Sequence, residues 1–289
     1  MGQYVIKELE QLSGIKAHTI RIWEKRYHLL NPQRTTSNIR YYSDQDLKKI
    51  INVAMLHRSG MKISKISPLS EKEISEKVLA FEGKENDKKI PINQLIMAMV
   101  DMEEETFEKI LSSQILKFGF ENTMVEMIYP FLDKIGVLWQ TNHVSPAQEH
   151  FISNLIRQKI IVAIDALSLP PPSTSKVLLF LPENEMHELG LLFYHYLIRK
   201  KGYRTYYFGQ NLPYEDLKEV IRIHNPDMLF TSITCSLKDF TIEDFLHQLV
   251  HHFPNQKILV SGFQIQSVIK VHPSIHLIKK MEDLRLAFE

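Results

Sequence analysis

The sequence predicts a multi-domain chain of α and α/β class, made of a winged helix-turn-helix, a four-helix bundle and a doubly wound parallel sheet. Three observations predict it. Two short helical stretches flank a glycine break near the start, and helical periodicity with little strand character fills the middle. After a proline run, short apolar segments alternate with amphipathic helices. At 289 residues the chain exceeds one ordinary domain and suits two or three, each able to bury a core.

The head comes first. Val5, Ile6, Leu9 and Leu12 recur at helical spacing until Ser13-Gly14 breaks the pattern, and a second helix runs from about Ala17 to Arg26. In that helix Ile15, Ile20, Ile22 and Trp23 alternate with Lys16, His18, Arg21, Lys25 and Arg26, so that one face packs while another presents cations. Asn31-Pro32-Gln33-Arg34 and the polar stretch to Arg40-Tyr41-Tyr42 suit a two-stranded wing. Ser43-Asp44-Gln45-Asp46 reads as a capped start of a helix to about Arg58. Residues 1–66 hold twelve lysines and arginines against five acids, a net of +7, which leaves −6 for the rest of a chain whose total is +1. A basic head on an acidic body points to a polyanionic partner for the head. A helix-turn-helix places its second helix in the DNA major groove, where arginines read guanine edges, while Arg34, Arg40 and Tyr41 on a wing would reach flanking phosphates.

Residues 1–75 are therefore expected as the head, and the charged stretch 76–90 as a linker. Within 91–169 four helical stretches, near 92–102, 103–118, 121–139 and 146–167, predict the bundle. The last opens on Ser145-Pro146-Ala147-Gln148, which offers an N-cap, a proline at the first helical position and a capping-box glutamine. Pro170-Pro171-Pro172 opens a stiff linker, 170–175. In 176–289, strands are expected at Lys176–Leu181, Arg204–Gly209, Asp227–Thr234, Lys257–Gly262 and Ile275–Lys279, with helices near 188–201, 214–224, 240–252 and 264–270. This is the pattern of a Rossmann-like, flavodoxin-like sheet, which binds ligands at the carboxyl ends of its strands.

Bulk properties exclude other classes. With 44% apolar and 24% charged residues the composition is globular, and no apolar run approaches the roughly 18 residues of a membrane span. The start lacks the charged-then-apolar pattern of an export signal, so a cytoplasmic protein is expected. The single cysteine, Cys235, excludes an internal disulfide and a thiolate metal cage, and its apolar surroundings read as those of a small core residue.

The run from His18 to Arg34, His-Thr-Ile-Arg-Ile-Trp-Glu-Lys-Arg-Tyr-His-Leu-Leu-Asn-Pro-Gln-Arg, followed by Ile39-Arg-Tyr-Tyr-Ser43, closely resembles the MerR family of regulators over residues 3–66. The resemblance implies dimers on inverted repeats, with Arg21 and Arg26 on the recognition helix and Arg40-Tyr41 on the wing.

Further along, the loop after the first expected strand of the α/β domain reads Glu185-Met-His187-Glu-Leu-Gly190. A histidine there can present imidazole to a ligand, and imidazole is a good cobalt ligand when a carboxylate fixes its tautomer; Glu185 and Glu183 are candidates. The stretch resembles cobalamin-binding domains, whose Asp-x-His-x-x-Gly motif supplies the lower axial ligand of cobalt. His187 and Gly190 match, and Glu185 stands where that family has aspartate. Ser232-Ile-Thr234 and Ser261-Gly262 match in part the Ser-x-Leu and Gly-Gly elements that line the channel for the nucleotide tail. In the bundle, Trp139 and Glu149-His150 have the spacing of the adenosylcobalamin-binding cap of CarH/LitR-type photoreceptor regulators. That resemblance implies a tryptophan over the upper face and a Glu-His pair on the adenosyl group. One departure is Gln140, which stands where those photoreceptors carry a histidine able to capture cobalt after photolysis; His143 is close in sequence.

Together the resemblances imply a DNA-binding regulator, a repressor, that is not an enzyme. Its body would bind adenosylcobalamin between bundle and sheet, with His187 on cobalt, to control self-assembly and operator occupancy, with release by light. Three alternatives stand beside it: a corrinoid methyltransferase component, a body that serves only dimerisation or partner docking, and a sensor of free cobalamin or another ligand without light.

Overall fold

The computed structural model describes residues 4–35, 38–58, 60–80, 89–140, 145–235, 237 and 241–288. The chain divides into two compact units, Met1–Ser153 and Asn154–Glu289.

In the first unit, α1 (Ile6–Ser13) stops at Gly14, whose φ of +70° is the left-handed conformation that only glycine adopts without strain. α2 (Ala17–Tyr27) follows, then the antiparallel pair β1 (Gln33–Arg34) and β2 (Arg40–Tyr41), in register Gln33–Tyr41 and Arg34–Arg40. α3 (Asp44–Arg58) starts on the expected box: Ser43 Oγ accepts the Asp46 N–H at 3.1 Å and the Asp46 carboxylate accepts the Ser43 N–H at 3.0 Å. Leu9, Leu12, Ile20, Trp23, Leu47, Ile50 and Ile51 are buried between these helices. Tyr4 ties the chain start to the wing through two backbone hydrogen bonds with Tyr42, of 2.9 and 2.8 Å. Ile22, expected to pack, is 43% exposed: the turn that buries Ile20 and Trp23 carries Ile22 to the outer face.

Two helices were not anticipated, α4 (Ile63–Ile66) and α5 (Glu71–Ala80). α5 has its own cap, because Ser70 and Glu73 exchange backbone-to-side-chain hydrogen bonds of 2.8 and 3.3 Å. α5 and α6 (Lys89–Asp101) both reach into the 76–90 stretch read as a linker, whose residues 81–88 lie outside the described residues. α7 (Glu104–Phe118) and α8 (Phe120–Thr123) follow. A π-helical turn, Met124–Ile128, then leads into α9 (Tyr129–Gln140). The wide turn sits where Pro130, which has no N–H to donate, interrupts the α ladder. α10 (Pro146–Asp165) opens as expected, Ser145 Oγ accepting the Gln148 N–H and Gln148 Oε1 accepting the Ser145 N–H at 3.1 Å. α10 begins in the first unit and ends in the second.

The second unit alternates β3 (Lys176–Pro182), α11 (Glu188–Lys200), β4 (Arg204–Leu212), α12 (Tyr214–His224), β5 (Met228–Ser232), α13 (Ile242–His252), β6 (Lys257–Ser261), β7 (Ile275–Leu277) and α14 (Met281–Ala287). All five strands are parallel, in the order β4-β3-β5-β6-β7. That is the flavodoxin-like order, with its switch point between β3 and β5. Val177 to Leu181 are buried without alternation, as a strand covered on both faces requires. The helix expected at 264–270 is a single 3-10 turn, Gln264–Ser267, because the β-branched Val268-Ile269 follow and Lys279 Nζ takes the Gln266 and Val268 carbonyls. α14 was not anticipated; Asp283 caps it by accepting the Lys279 and Lys280 N–H groups. Among the described residues no helix is long and apolar enough to cross a membrane.

His195, on α11, is buried against β4, with Nε2 2.9 Å from Thr205 Oγ1 and its ring stacked on Tyr207. Burial, with the Arg199 charge beside it, lowers its pKa to about 4, so it is neutral in the fold. Its ordinary value is 6.5, so the unfolded chain takes up the proton first. The stability this residue contributes is complete above pH 6.5 and is lost as pH falls toward 4, by roughly 2–3 kcal/mol. Thermal melts between pH 7 and 4 should fall more steeply for wild type than for His195→Gln. Parallel curves would contradict the buried neutral ring.

Candidate functional site

Two surfaces carry the residues singled out by sequence, one in each unit. On α2 the solvent face holds His18, Arg21, Lys25 and Arg26, with Lys16 at its N-cap, all exposed. Arg34 is exposed on the wing and held by Asn38 Oδ1 at 2.6 Å; Arg40 and Tyr41 are half-buried. Lys16 pairs with Glu10 at 3.1 Å and remains 84% exposed, so the pair does little to withdraw its charge from a partner. Glu24 receives the Tyr42 hydroxyl and lies 3.8 Å from Arg40 Nε, which orients Arg40 beside α2. Burial and the hydrogen bond to Glu24 push the Tyr42 phenol well above its usual range, so it acts as a fixed donor. Helix and wing thus share one cationic face.

The second surface is at the carboxyl ends of β3, β5 and β6. Glu185, in the loop after β3, is buried. Its Oε1 lies 2.6 Å from His187 Nδ1 and accepts the His187 backbone N–H at 3.0 Å, while Oε2 accepts the Thr234 and Cys235 N–H groups, both at 2.8 Å. Burial works to raise this carboxyl, but the His187 ring and the three N–H donors outweigh it and hold the pKa at about 2. Glu185 is therefore an anion at any physiological pH, and it bridges the loops after β3 and β5 across the switch point. Glu183, the other candidate, is exposed. The His187 side chain is half exposed. As long as Nδ1 stays on the Glu185 carboxylate, the ring can ligate a metal through Nε2.

Around this pair, Ser232 is buried and its Oγ faces Gly190 in the first turn of α11: a Cβ on Gly190 would sit 4.0 Å from it. Thr234 contributes its backbone N–H to Glu185. Ser261 Oγ donates to the Ile278 carbonyl at 3.0 Å and lies 2.9 Å from the Tyr194 hydroxyl, so it is committed to the sheet. Gly262 has φ +106°, and a Cβ there would lie 2.2 Å from the Ile233 carbonyl oxygen. The loops after β5 and β6 approach this closely only because residue 262 has no side chain.

Cys235 corrects its expectation. It is exposed, with Sγ 3.6 Å from His187 Nδ1, because the turn after β5 carries it out of the sheet toward Glu185. Burial and the Glu185 charge raise its thiol pKa. The sequence also gave no sign of the support behind His187: Glu188 accepts from Arg157 Nε and from the Tyr207 hydroxyl, both at 2.8 Å, which anchors the start of α11. In the first unit, Glu149 is half-buried and His150 exposed in the first turn of α10. Trp139 lies in the last turn of α9, its side chain and that of Gln140 outside the described residues, as is His143.

Residues 4–73 match the profile of the MerR HTH family regulatory proteins, and residues 91–163 that of the B12 binding domain. The chain is a DNA-binding transcription regulator with a cobalamin-binding sensor domain. It is 28% identical over 257 residues to the HTH-type transcriptional repressor CarH of Myxococcus xanthus, spanning 87% of this chain and 85% of that protein. It is 26% identical over 230 residues to the repressor CarA of the same organism, spanning 78% and 75%. The solved monomethylamine corrinoid protein of Methanosarcina barkeri shares the fold at a TM-score of 0.54 and 11% identity, over 69% of this chain and 98% of that one.

Glu185→Ala would leave three loop N–H groups without their acceptor, at roughly 1–3 kcal/mol each. Amide exchange should accelerate at Thr234, Cys235 and His187 and stay unchanged in β6. Unaltered protection at Thr234 and Cys235 would remove the bridge.

Proposed function

We propose that this protein is a repressor that senses adenosylcobalamin, ligates it through His187, and occupies its operator as a cofactor-dependent oligomer. The observation that carries the reading is the ionised, buried Glu185 on His187 Nδ1 at the switch point of the sheet. The donor set fits a cobalt corrinoid. An imidazole fixed by a carboxylate presents one defined nitrogen, and the small Gly190 beside Ser232 keeps the loop low next to it.

When bound, a cobalt corrinoid would supply a metal for a neutral imidazole and a light-absorbing cobalt–carbon bond. His187 would hold the cobalt while Glu185 keeps the ring proton on Nδ1. Glu185 in place of aspartate still reaches the ring at 2.6 Å, so the longer arm keeps this contact. Ser232 and Thr234 would face the nucleotide tail, with Ser261 and Gly262 shaping the strand ends beside them. Trp139, Glu149 and His150 are assigned to the adenosyl side by their resemblance to the CarH/LitR-type cap. Gln140, where those regulators carry a histidine, offers no imidazole to hold cobalt from that side. On the head, Arg21, Lys25 and Arg26 would enter the major groove with Lys16 and His18 at the start of the helix, and Arg34, Arg40 and Tyr41 would grip phosphates. Cofactor and operator are then coupled through assembly, so each raises affinity for the other.

Purified in the dark with adenosylcobalamin, wild type should retain the corrinoid and elute as a larger species, and His187→Ala should lose the spectral signature of histidine ligation. Illumination should return the smaller species. Wild type without corrinoid would end the sensor reading, and retention with no change in size on illumination would remove the light response alone. Arg21→Ala and Arg40→Ala should each weaken operator binding by roughly 1–3 kcal/mol, and loss of the Arg40 phosphate contact should lower the salt slope by about one. Equal affinity by mobility shift would displace these residues from the interface.

A further inference from the structure

We propose that Glu185, His187 and Cys235 form a second, corrinoid-independent site for one zinc-class divalent cation. One ligand atom from each lies within 4.8 Å of the others. Cys235 Sγ and His187 Nδ1 are 3.6 Å apart. A tetrahedral zinc ion, with Zn–S about 2.3 Å and Zn–N about 2.0–2.1 Å, sets those two atoms about 3.6 Å apart. Glu185 Oε1, now 2.6 Å from the same nitrogen, needs to open by under roughly 1 Å to take a third vertex. Its Oε2 continues to accept the Thr234 and Cys235 N–H groups, so the loop bridge survives while Oε1 turns to the ion. Thiolate, imidazole and carboxylate together suit zinc and exclude the hard cations, which want oxygen alone. The half-exposed His187 and exposed Cys235 leave water access to the fourth vertex.

The cation enters through Nδ1 and so places the ring proton on Nε2, whereas the corrinoid needs Nε2 for cobalt and the proton on Nδ1. A neutral imidazole holds one tautomer at a time, so the two metals exclude each other. Cation occupancy would thus set a threshold that cofactor must exceed. This competition rests on the proposed cobalamin reading; the cation site does not.

The test uses the full chain, freed of corrinoid and reduced. Zinc titrated against a chromophoric chelator should show one ion per chain. Cobalt(II) as a probe should give a near-ultraviolet sulfur-to-metal charge-transfer band. Cys235→Ser should abolish the band and weaken zinc binding by at least roughly tenfold. Zinc should slow corrinoid loading of wild type and leave Cys235→Ser unaffected. Equal zinc affinity in wild type and Cys235→Ser, or no band in wild type, overturns the site. The failure of the cobalamin reading looks different: zinc-free wild type would take up no corrinoid.

Discussion

Four hydrogen-bond donors converge on one carboxylate with almost no access to solvent, and the body of the protein is organised around that anion. Removing a carboxylate from water costs several kcal/mol, and it persists as an anion in a fold only where its lone pairs are met by well-placed donors. Glu185 meets this condition with donors from two loops: the His187 ring and backbone on one side, the Thr234 and Cys235 amides on the other. The anion and the loop geometry therefore specify each other. Neither loop can shift without leaving either a charge or an amide unsatisfied.

Other features at this end of the sheet serve the same alignment. Asn184, at φ +67°, turns the chain after β3 and donates its N–H to Asn211 Oδ1, while the Asn211 N–H donates to the Glu185 carbonyl. β4 thus pins the loop from its other edge. Behind it, Arg157, Glu188, Tyr207 and His195 form a continuous row, by ion pair, hydrogen bond and ring stacking, from α10 to α11 and β4. The burial that keeps His195 neutral also packs the helix that begins one residue after His187. The His187 ring is thereby mounted next to rigid elements, which fixes its orientation.

Periodicity revealed most of this architecture and little of its wiring. The helices of the head, the four helical stretches and the five strands were legible because each carries a strong hydrophobic repeat and visible caps at Ser43 and Ser145. α5 was hidden in a stretch whose charge reads as linker, and α14 in a segment too short for its pattern to stand out. The 3-10 turn at Gln264 replaced a helix because the residues that stop it, Val268 and Ile269, are apolar and look helical in a periodicity count. In the site, His187, Gly190 and Glu185 were singled out by their resemblance to the cobalamin-domain motif, and the structure places Glu185 against the His187 ring. Cys235 was misread because its neighbours in sequence are apolar, whereas its neighbours in space are Glu185 and His187. Contacts across forty-eight or fifty positions, such as those of Cys235 with His187 and Glu185, leave no local periodic trace. Ser261 and Gly262 matched a motif, yet the sheet itself consumes both, one in a hydrogen bond to Ile278 and the other in the approach to Ile233.

The head poses a different constraint. The last turn of its first helix is satisfied by the Gly14 N–H on the Glu10 carbonyl and by Arg58 on the Ser13 carbonyl, leaving the Leu12 carbonyl for a partner outside the head. Here Lys134, on α9, donates to the Leu12 carbonyl at 2.7 Å and to the buried Asn93 of α6 at 3.1 Å. Lys48 of α3 pairs with Asp101 at the end of α6. Head and helices α6–α9 belong to one compact unit and share polar contacts. A regulator whose head were a bead on a string would control DNA binding by swinging that head. With Lys134 and Lys48 in place, the head is tied to α6 and α9 within one unit. Lys134 thus links α9 to both the head and α6.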